Sequence, residues 1–133
     1  MNFLVVDDDE EVALVISEMF RDLGHDTYIV ATGMEAIQVL GDESCFFTVD
    51  AVYTDIMMLE MNGIDLAHEI VAIDPHMPVI AVSGASLESI EKFELNNDLF
   101  FHLLRKPLSE SDLKTSIQKL VAFYPLTQKK DKR

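Results

Sequence analysis

The sequence carries little positive charge over most of its length. It contains 10 lysine and arginine residues against 24 aspartate and glutamate residues, and four of the ten lie in the last five positions. Residues 1–128 therefore carry six basic and 23 acidic groups, because Asp131 is the one acid in the tail. Phosphate backbones are bound by clustered cations, so this distribution argues against nucleic acid as a partner. Most of the acids are expected to form a solvated surface, with a small group left for a cation site.

Long apolar runs, a basic-then-apolar leader and a second cysteine are also missing. The absence of an apolar run of about 18 residues predicts no membrane span or membrane partner and a cytoplasmic location. The single cysteine, Cys45, gives no intrachain disulfide and no metal cluster. A chain of 133 residues that is 49% hydrophobic supports one packed domain. We assign residues 1–123 to this domain and residues 124–133 to a basic, disordered tail.

Short apolar runs alternate along the chain with apolar residues at helical spacing. The last helix is predicted to open at Ser109 and to stop by Pro125. This alternation predicts an α/β fold, with a doubly wound parallel sheet covered by helices on both faces. Five strands are predicted, over 3–6, 27–30, 51–55, 79–82 and 99–104. Five helices are predicted, with apolar stripes over 12–23, 36–40, 64–71, 87–94 and 113–121.

Polar side chains stand where four of the predicted strands end. Right-handed crossovers bring the carboxyl ends of parallel strands to one edge, where ligands bind in open sheets. We therefore expect these side chains to converge. They are Asp7 and Asp8 after the first strand, Asp55 at the end of the third, Ser83 after the fourth and Lys106 after the fifth.

A convergence of this kind indicates a cation and a phosphoryl group. Two carboxylates about 4 Å apart repel by on the order of 4 kcal/mol at an effective dielectric of ~20, so the cluster calls for a cation. Oxygen ligands without histidine or cysteine favour a hard ion, and Mg²⁺ suits a site with few protein ligands. A divalent ion, the Lys106 ammonium and the Ser83 hydroxyl would then clamp a phosphoryl group. Asp55 would be the nucleophile and would form an acyl phosphate.

With these residues in view, the sequence resembles the receiver domain of two-component response regulators over residues 2–122. Each matching piece is weak alone, but their order and spacing are specific. The resemblance implies a flavodoxin-like receiver fold with five strands in the order 2-1-3-4-5 and five helices. The matching pieces are Leu4-Val5-Val6-Asp7-Asp8, Asp55-Ile56-Met57-Met58 with Gly63 eight residues after Asp55, Pro78-Val79-Ile80 leading to Ser83, and Lys106-Pro107.

The same resemblance implies a role for each residue of the site. Mg²⁺ would be held by Asp8, Asp55 and the backbone carbonyl of Met57, with Asp7 contributing largely through water. Ser83 and Lys106 would grip the phosphoryl group on Asp55. The bond between Lys106 and Pro107 would be cis.

The resemblance also implies partners. A sensor histidine kinase or a histidine phosphotransfer protein of a phosphorelay would donate the phosphoryl group, and a downstream protein would read the changed surface. A weak homodimer is left open. The protein would assist its own phosphorylation and dephosphorylation and would not be a turnover enzyme.

Three departures from the family pattern affect the expected switch. Leu59 stands where proline is usual, which should loosen the loop after Asp55. Leu103 replaces the usual switch aromatic three residues before Lys106, so switching through Ser83 and Leu103 should be weaker and more graded, unless Phe101 or His102 partly substitutes for the aromatic ring. Residues 96–101 lack the usual Gly-Ala step, which gives the output face its own shape.

Three other interpretations compete with a phosphorylated receiver. A degenerate receiver would act as a phosphorylation-independent protein-binding module, but it would have no reason to retain Asp8, Asp55 and Lys106 together. A flavodoxin-like cofactor binder would need a phosphate loop after the first strand, where three aspartates stand instead. An aspartyl-phosphate hydrolase would need a second acid two residues after the nucleophile, where this chain has Met57.

Overall fold

The computed structural model describes residues 1–42, 47–58, 60–84 and 99–127, with no side chains described for 125–127. Strands and helices alternate through these ranges as the sequence predicts. The strands are β1 (Asn2–Val6), β2 (Asp26–Val30), β3 (Ala51–Asp55), β4 (Val79–Ser83) and β5 (His102–Arg105). The helices are α1 (Glu10–Asp22), α2 (Gly33–Gly41), α3 (Gly63–Ile73) and α4 (Glu110–Thr127).

All five strands pair in parallel in one sheet with the order β2-β1-β3-β4-β5. The predicted fold class and strand order are thus confirmed. The register aligns Val5 with Tyr53, Tyr53 with Ile80, and Ile80 with His102. Because every strand runs the same way, the carboxyl ends of β1, β3, β4 and β5 lie along one edge.

The alternating side chains of the strands feed two apolar clusters, one on each face of the sheet. Phe3, Phe20 and Tyr53 lie in the cluster with α1 and α4, where their rings pack within 4.5–5.3 Å of one another. Leu4 and Leu66 lie in the opposite cluster with α2 and α3. Each large side chain buried in this way contributes about 1.5–3 kcal/mol, so the central strands are the most firmly held.

Local capping explains where the helices begin and end. The Asp9 carboxylate accepts hydrogen bonds from the backbone N–H groups of Glu11 and Val12 and starts α1. Gly24, just beyond α1, has φ +91°, a conformation that glycine adopts without steric cost. The predicted capping box at Ser109 is present, since Ser109 and Asp112 exchange two backbone-to-side-chain bonds of 3.1 Å.

Two boundary predictions are wrong. β5 begins at His102 and not at 99. Leu99 lies in a turn, and Phe100 packs in the core outside the strand. α4 continues to Thr127 and does not stop by Pro125. Proline accepts helical φ, and its missing N–H costs one bond to the carbonyl of the solvent-exposed Val121. Residues 124–127 of the range that we assigned to the tail therefore belong to α4.

Several predictions concern residues outside the described ranges. The helix predicted over 87–94, the missing Gly-Ala step, the single cysteine Cys45, the loop residue Leu59 and the last six residues are among them. None of the described helices combines the length and apolarity that a membrane span needs.

Candidate functional site

Three carboxylates meet at the carboxyl edge of the sheet. Asp7 and Asp8 directly follow β1, and Asp55 is the last residue of the neighbouring strand β3. One oxygen from each lies within 4.8 Å of the others. Asp7 and Asp55 are buried, with 3% and 7% of their surface exposed, whereas Asp8 is exposed. The cluster therefore opens to solvent on the side of Asp8.

The Lys106 ammonium faces two of these carboxylates. Its Nζ lies 3.1 Å from Oδ2 of Asp7 and 3.5 Å from Oδ2 of Asp55. The backbone N–H of Lys106 donates to the Ser83 carbonyl over 2.8 Å, which ties the end of β5 to the end of β4. The Lys106–Pro107 bond is cis, as expected.

Burial and the neighbouring charges shift the pKa values of Asp55 and Lys106. Burial raises the pKa of Asp55, and the charge of Asp7 acts in the same direction, while Lys106 opposes both. Burial alone would lower the pKa of Lys106, but its hydrogen bond to Asp7 and the charges of Asp55 and Asp7 outweigh burial and raise it. Lys106 is therefore held as a cation. Three carboxylates grouped with a single ammonium leave an excess of negative charge.

The donor set of the cluster fits a hard divalent cation. The grouped ligand atoms are all carboxylate oxygens, and Asp8 keeps one side open to water. Mg²⁺ binds through few carboxylates and retains several waters, so this set suits it. Met57, two residues after Asp55, directs its backbone N–H toward Oδ1 of Asp55 over 3.4 Å. Its carbonyl as a metal ligand stays a prediction.

The two predicted switch residues lie on neighbouring strands. Ser83 ends β4 and is fully buried, one residue beyond Val82, which pairs with Asp55. Leu103 in β5 is half-buried and packs against the cluster on the α2 and α3 face. Ser83 thus stands at the carboxylate edge, and Leu103 lies two residues before the end of its strand.

Sequence reasoning missed two features that hold the main chain at Asp55. The hydroxyl of the fully buried Thr54 donates to the Asp55 carbonyl over 2.9 Å. Gly63 packs so closely that an added Cβ would lie 2.5 Å from the Asp55 carbonyl oxygen and 2.9 Å from Ile56 Cα. The glycine was part of the recognised motif, but its spacing carries no sign of this contact. For the Thr54 hydrogen bond, the available signal was a threonine at a core-facing position of a strand.

Comparison with known proteins matches this geometry to one family. The family model described as the response regulator receiver domain matches residues 3–118. The chain belongs to this family. It is a receiver domain of two-component signalling, and in sequence it is similar to the transcriptional regulatory protein ZraR of Escherichia coli K12 (27% identity over 122 residues). That match covers 92% of this chain and 26% of ZraR. It is also similar to the sensor kinase CckA of Brucella abortus, with 29% identity over 89% of this chain and 12% of CckA. The receiver thus spans about a quarter or less of these relatives.

Solved receiver domains share the fold closely. A response regulator receiver domain protein from Clostridium thermocellum superposes with a TM-score of 0.83 at 27% identity, covering 96% of this chain and 98% of that one. The receiver domain of sensor histidine kinase PA1611 from Pseudomonas aeruginosa has a TM-score of 0.78 at 23% identity, covering 91% and 97%. That structure holds a magnesium ion in its active site cleft. At this identity it supports the fold alone.

Proposed function

We propose that this receiver domain takes up a phosphoryl group on Asp55 in a Mg²⁺-dependent reaction. The observation that carries the proposal is the position of Asp55, a buried carboxylate that lies 3.5 Å from the Lys106 ammonium and is grouped with two further carboxylates. A structural ion pair alone would need one carboxylate opposite Lys106. A bound divalent cation would offset the repulsion among the additional carboxylates.

Asp7, Asp8 and Asp55 would hold Mg²⁺, with the Met57 carbonyl as a further ligand. The ion would supply charge stabilisation for the phosphoryl oxygens. An Asp55 carboxylate oxygen attacks phosphorus, and the bond from phosphorus to the donor's imidazole nitrogen breaks with its electron pair leaving on that nitrogen. Lys106, pulled from its contacts with Asp7 and Asp55, then donates to a phosphoryl oxygen. The Ser83 hydroxyl, at the end of β4, also donates to a phosphoryl oxygen.

The donor in this proposal is a sensor histidine kinase or a histidine phosphotransfer protein, and a downstream protein reads the phosphorylated surface. Phosphorylation adds charge and three acceptor oxygens that can reorganise nearby loops. The domain assists its own phosphorylation and dephosphorylation without turning over other substrates. The cytoplasmic setting and the absence of nucleic-acid and membrane partners belong to the same proposal.

Intact-mass measurement after incubation with acetyl phosphate tests the proposal. With Mg²⁺ the wild type should gain one phosphoryl group, and with EDTA it should gain none. Asp55→Asn should stay unlabelled, because an amide is a far weaker nucleophile than a carboxylate. Asp22→Asn, which changes an exposed aspartate at the end of α1, should label like the wild type. A folded wild type that stays unlabelled would favour the phosphorylation-independent binding module.

A further inference from the structure

Thr54 places a hydroxyl in an apolar part of the core beside the proposed phosphoacceptor. Its register partners are Val6 in β1 and Ala81 in β4, both buried in the apolar cluster on the α2 and α3 face. Thr54 itself is fully buried. A buried hydroxyl needs a hydrogen-bond partner, and here the Asp55 carbonyl accepts at 2.9 Å.

Strand formation and burial do not account for this hydroxyl. Valine has the same branched shape, favours strands and buries no polar group. What the hydroxyl adds over valine is the bond to the peptide group that links Asp55 to Ile56.

That peptide group is held at both of its polar atoms. Its oxygen accepts from Thr54, and its N–H, which belongs to Ile56, donates to the Val82 carbonyl over 3.3 Å. Gly63 closes it from the side, and the Gly63 N–H donates to the Ile56 carbonyl over 2.8 Å. The orientation of this peptide sets both the direction in which the Asp55 side chain leaves the backbone and the path to Met57.

We infer that Thr54 is a positioning residue for the phosphoacceptor, acting through the Asp55–Ile56 peptide. Its hydroxyl fixes the peptide plane so that the Asp55 carboxylate faces Lys106 and stays grouped with the other two aspartates. Positioning of this kind affects rate steeply, because small displacements of a reacting group can cost about a hundredfold. This inference rests on the proposed phosphorylation of Asp55.

Three variants separate positioning from stability. Thr54→Val removes the hydroxyl and keeps the shape, and it should slow phosphoryl uptake from acetyl phosphate at saturating Mg²⁺ about tenfold or more. Thr54→Ser keeps the hydroxyl and should retain a rate within about threefold of the wild type. Thr27→Val is the matched control, because it removes a hydroxyl that contacts Ser17 between β2 and α1, away from Asp55. It should leave the uptake rate unchanged.

Uptake rates are compared at a temperature where circular dichroism shows that every variant is folded. Under this condition the rates test whether Thr54 positions Asp55. Wild-type uptake by Thr54→Val, or equal slowing in Thr54→Ser and Thr54→Val, would overturn the inference. If the wild type takes up no phosphoryl group, the proposed function fails, and amide spectra decide the positioning separately. The Met57 and Gly63 amide signals should then shift in Thr54→Val and stay near wild type in Thr54→Ser and Thr27→Val. Unshifted signals in Thr54→Val would contradict it.

Discussion

Gly63, the first residue of α3, packs against the end of β3 so closely that only a hydrogen atom fits in place of a side chain. A methyl group there would lie 2.5 Å from the Asp55 carbonyl oxygen and 2.9 Å from Ile56 Cα, and both are backbone atoms. A flexible side chain could move away, but this backbone carries Asp55, the proposed phosphoacceptor. The contact therefore couples the start of α3 to the geometry of the site.

Gly63→Ala should lower the free energy of unfolding by about 1–3 kcal/mol, the usual cost of overpacking a core. The matched control is Gly41→Ala at the end of α2, where an added Cβ meets no atom within 4 Å. That change should be neutral or stabilising, because alanine favours helix over glycine by up to about 1 kcal/mol. Urea denaturation of both variants measures the difference. Equal stability of the two variants would show that the backbone at Asp55 yields without cost.

The charged side chains of the candidate site could be predicted from the sequence, because charged residues directly after apolar strands are visible in the sequence itself. Asp7, Asp8, Asp55 and Lys106 do converge as expected. The Thr54 bond could not be predicted, because a threonine in a strand is typical with or without a special partner. A hydrogen bond depends on the orientation of one peptide plane, and no spacing rule encodes that orientation.

At the scale of elements, one buried polar contact joins β3 to α4. The Tyr53 hydroxyl lies 2.6 Å from Ser116 Oγ, and the Ser116 hydroxyl donates to the Leu113 carbonyl over 2.8 Å. Burial raises the pKa of Tyr53, so its hydroxyl keeps its proton and can donate. The proton of Ser116 is used on Leu113. Tyr53 is therefore the donor in the pair.

This direction predicts unequal costs for removing the two hydroxyls. Ser116→Ala takes the acceptor from a buried Tyr53 donor and should cost about 1–3 kcal/mol of stability. Tyr53→Phe leaves Ser116 bonded to Leu113 and should cost about 1 kcal/mol or less. The double variant should cost less than the sum of the two, because its second change removes an already broken pair. Equal single costs, or strict additivity in thermal and urea unfolding, would contradict the assigned direction.

Element types followed from the sequence better than element ends did. Apolar periodicity and capping residues gave the strands and helices of the described ranges, including the Ser109 cap of α4. The start of β5 was misplaced because Phe100 packs in the core without belonging to the strand. An apolar run in the sequence does not distinguish a residue that packs in the core from one that also pairs in the sheet. The end of α4 was misplaced because proline usually marks the end of a helix, whereas this helix continues two residues past Pro125.

At the scale of the whole molecule, Leu103 bears on how phosphorylation would change the surface. It is half-buried against the α2 and α3 face, at the position where the family usually has an aromatic side chain. Leucine is smaller and has no hydroxyl to bond a loop carbonyl. The two arrangements of the switch should therefore differ less in energy, and the free protein should already sample the active one.

Signals of residues 99–104 should then move along a common line between the free, Mg²⁺-bound and beryllofluoride-bound forms in fast exchange. Leu103→Tyr should restore two slowly exchanging sets of NMR signals, because a large ring has two discrete packings. Two slow sets in the wild type, with no active-like population in the free protein, would show that leucine has not weakened the switch.

The central claim is that Asp55 carries the phosphoryl group, and not Asp7, Asp8 or the adjoining Asp9. Reduction of the labelled protein with borohydride converts an aspartyl phosphate to homoserine, and peptide mass spectrometry then locates it. After labelling in Mg²⁺ we predict homoserine at position 55 and unmodified aspartate at positions 7, 8 and 9. Homoserine at position 7, 8 or 9, with position 55 unmodified, would contradict the account.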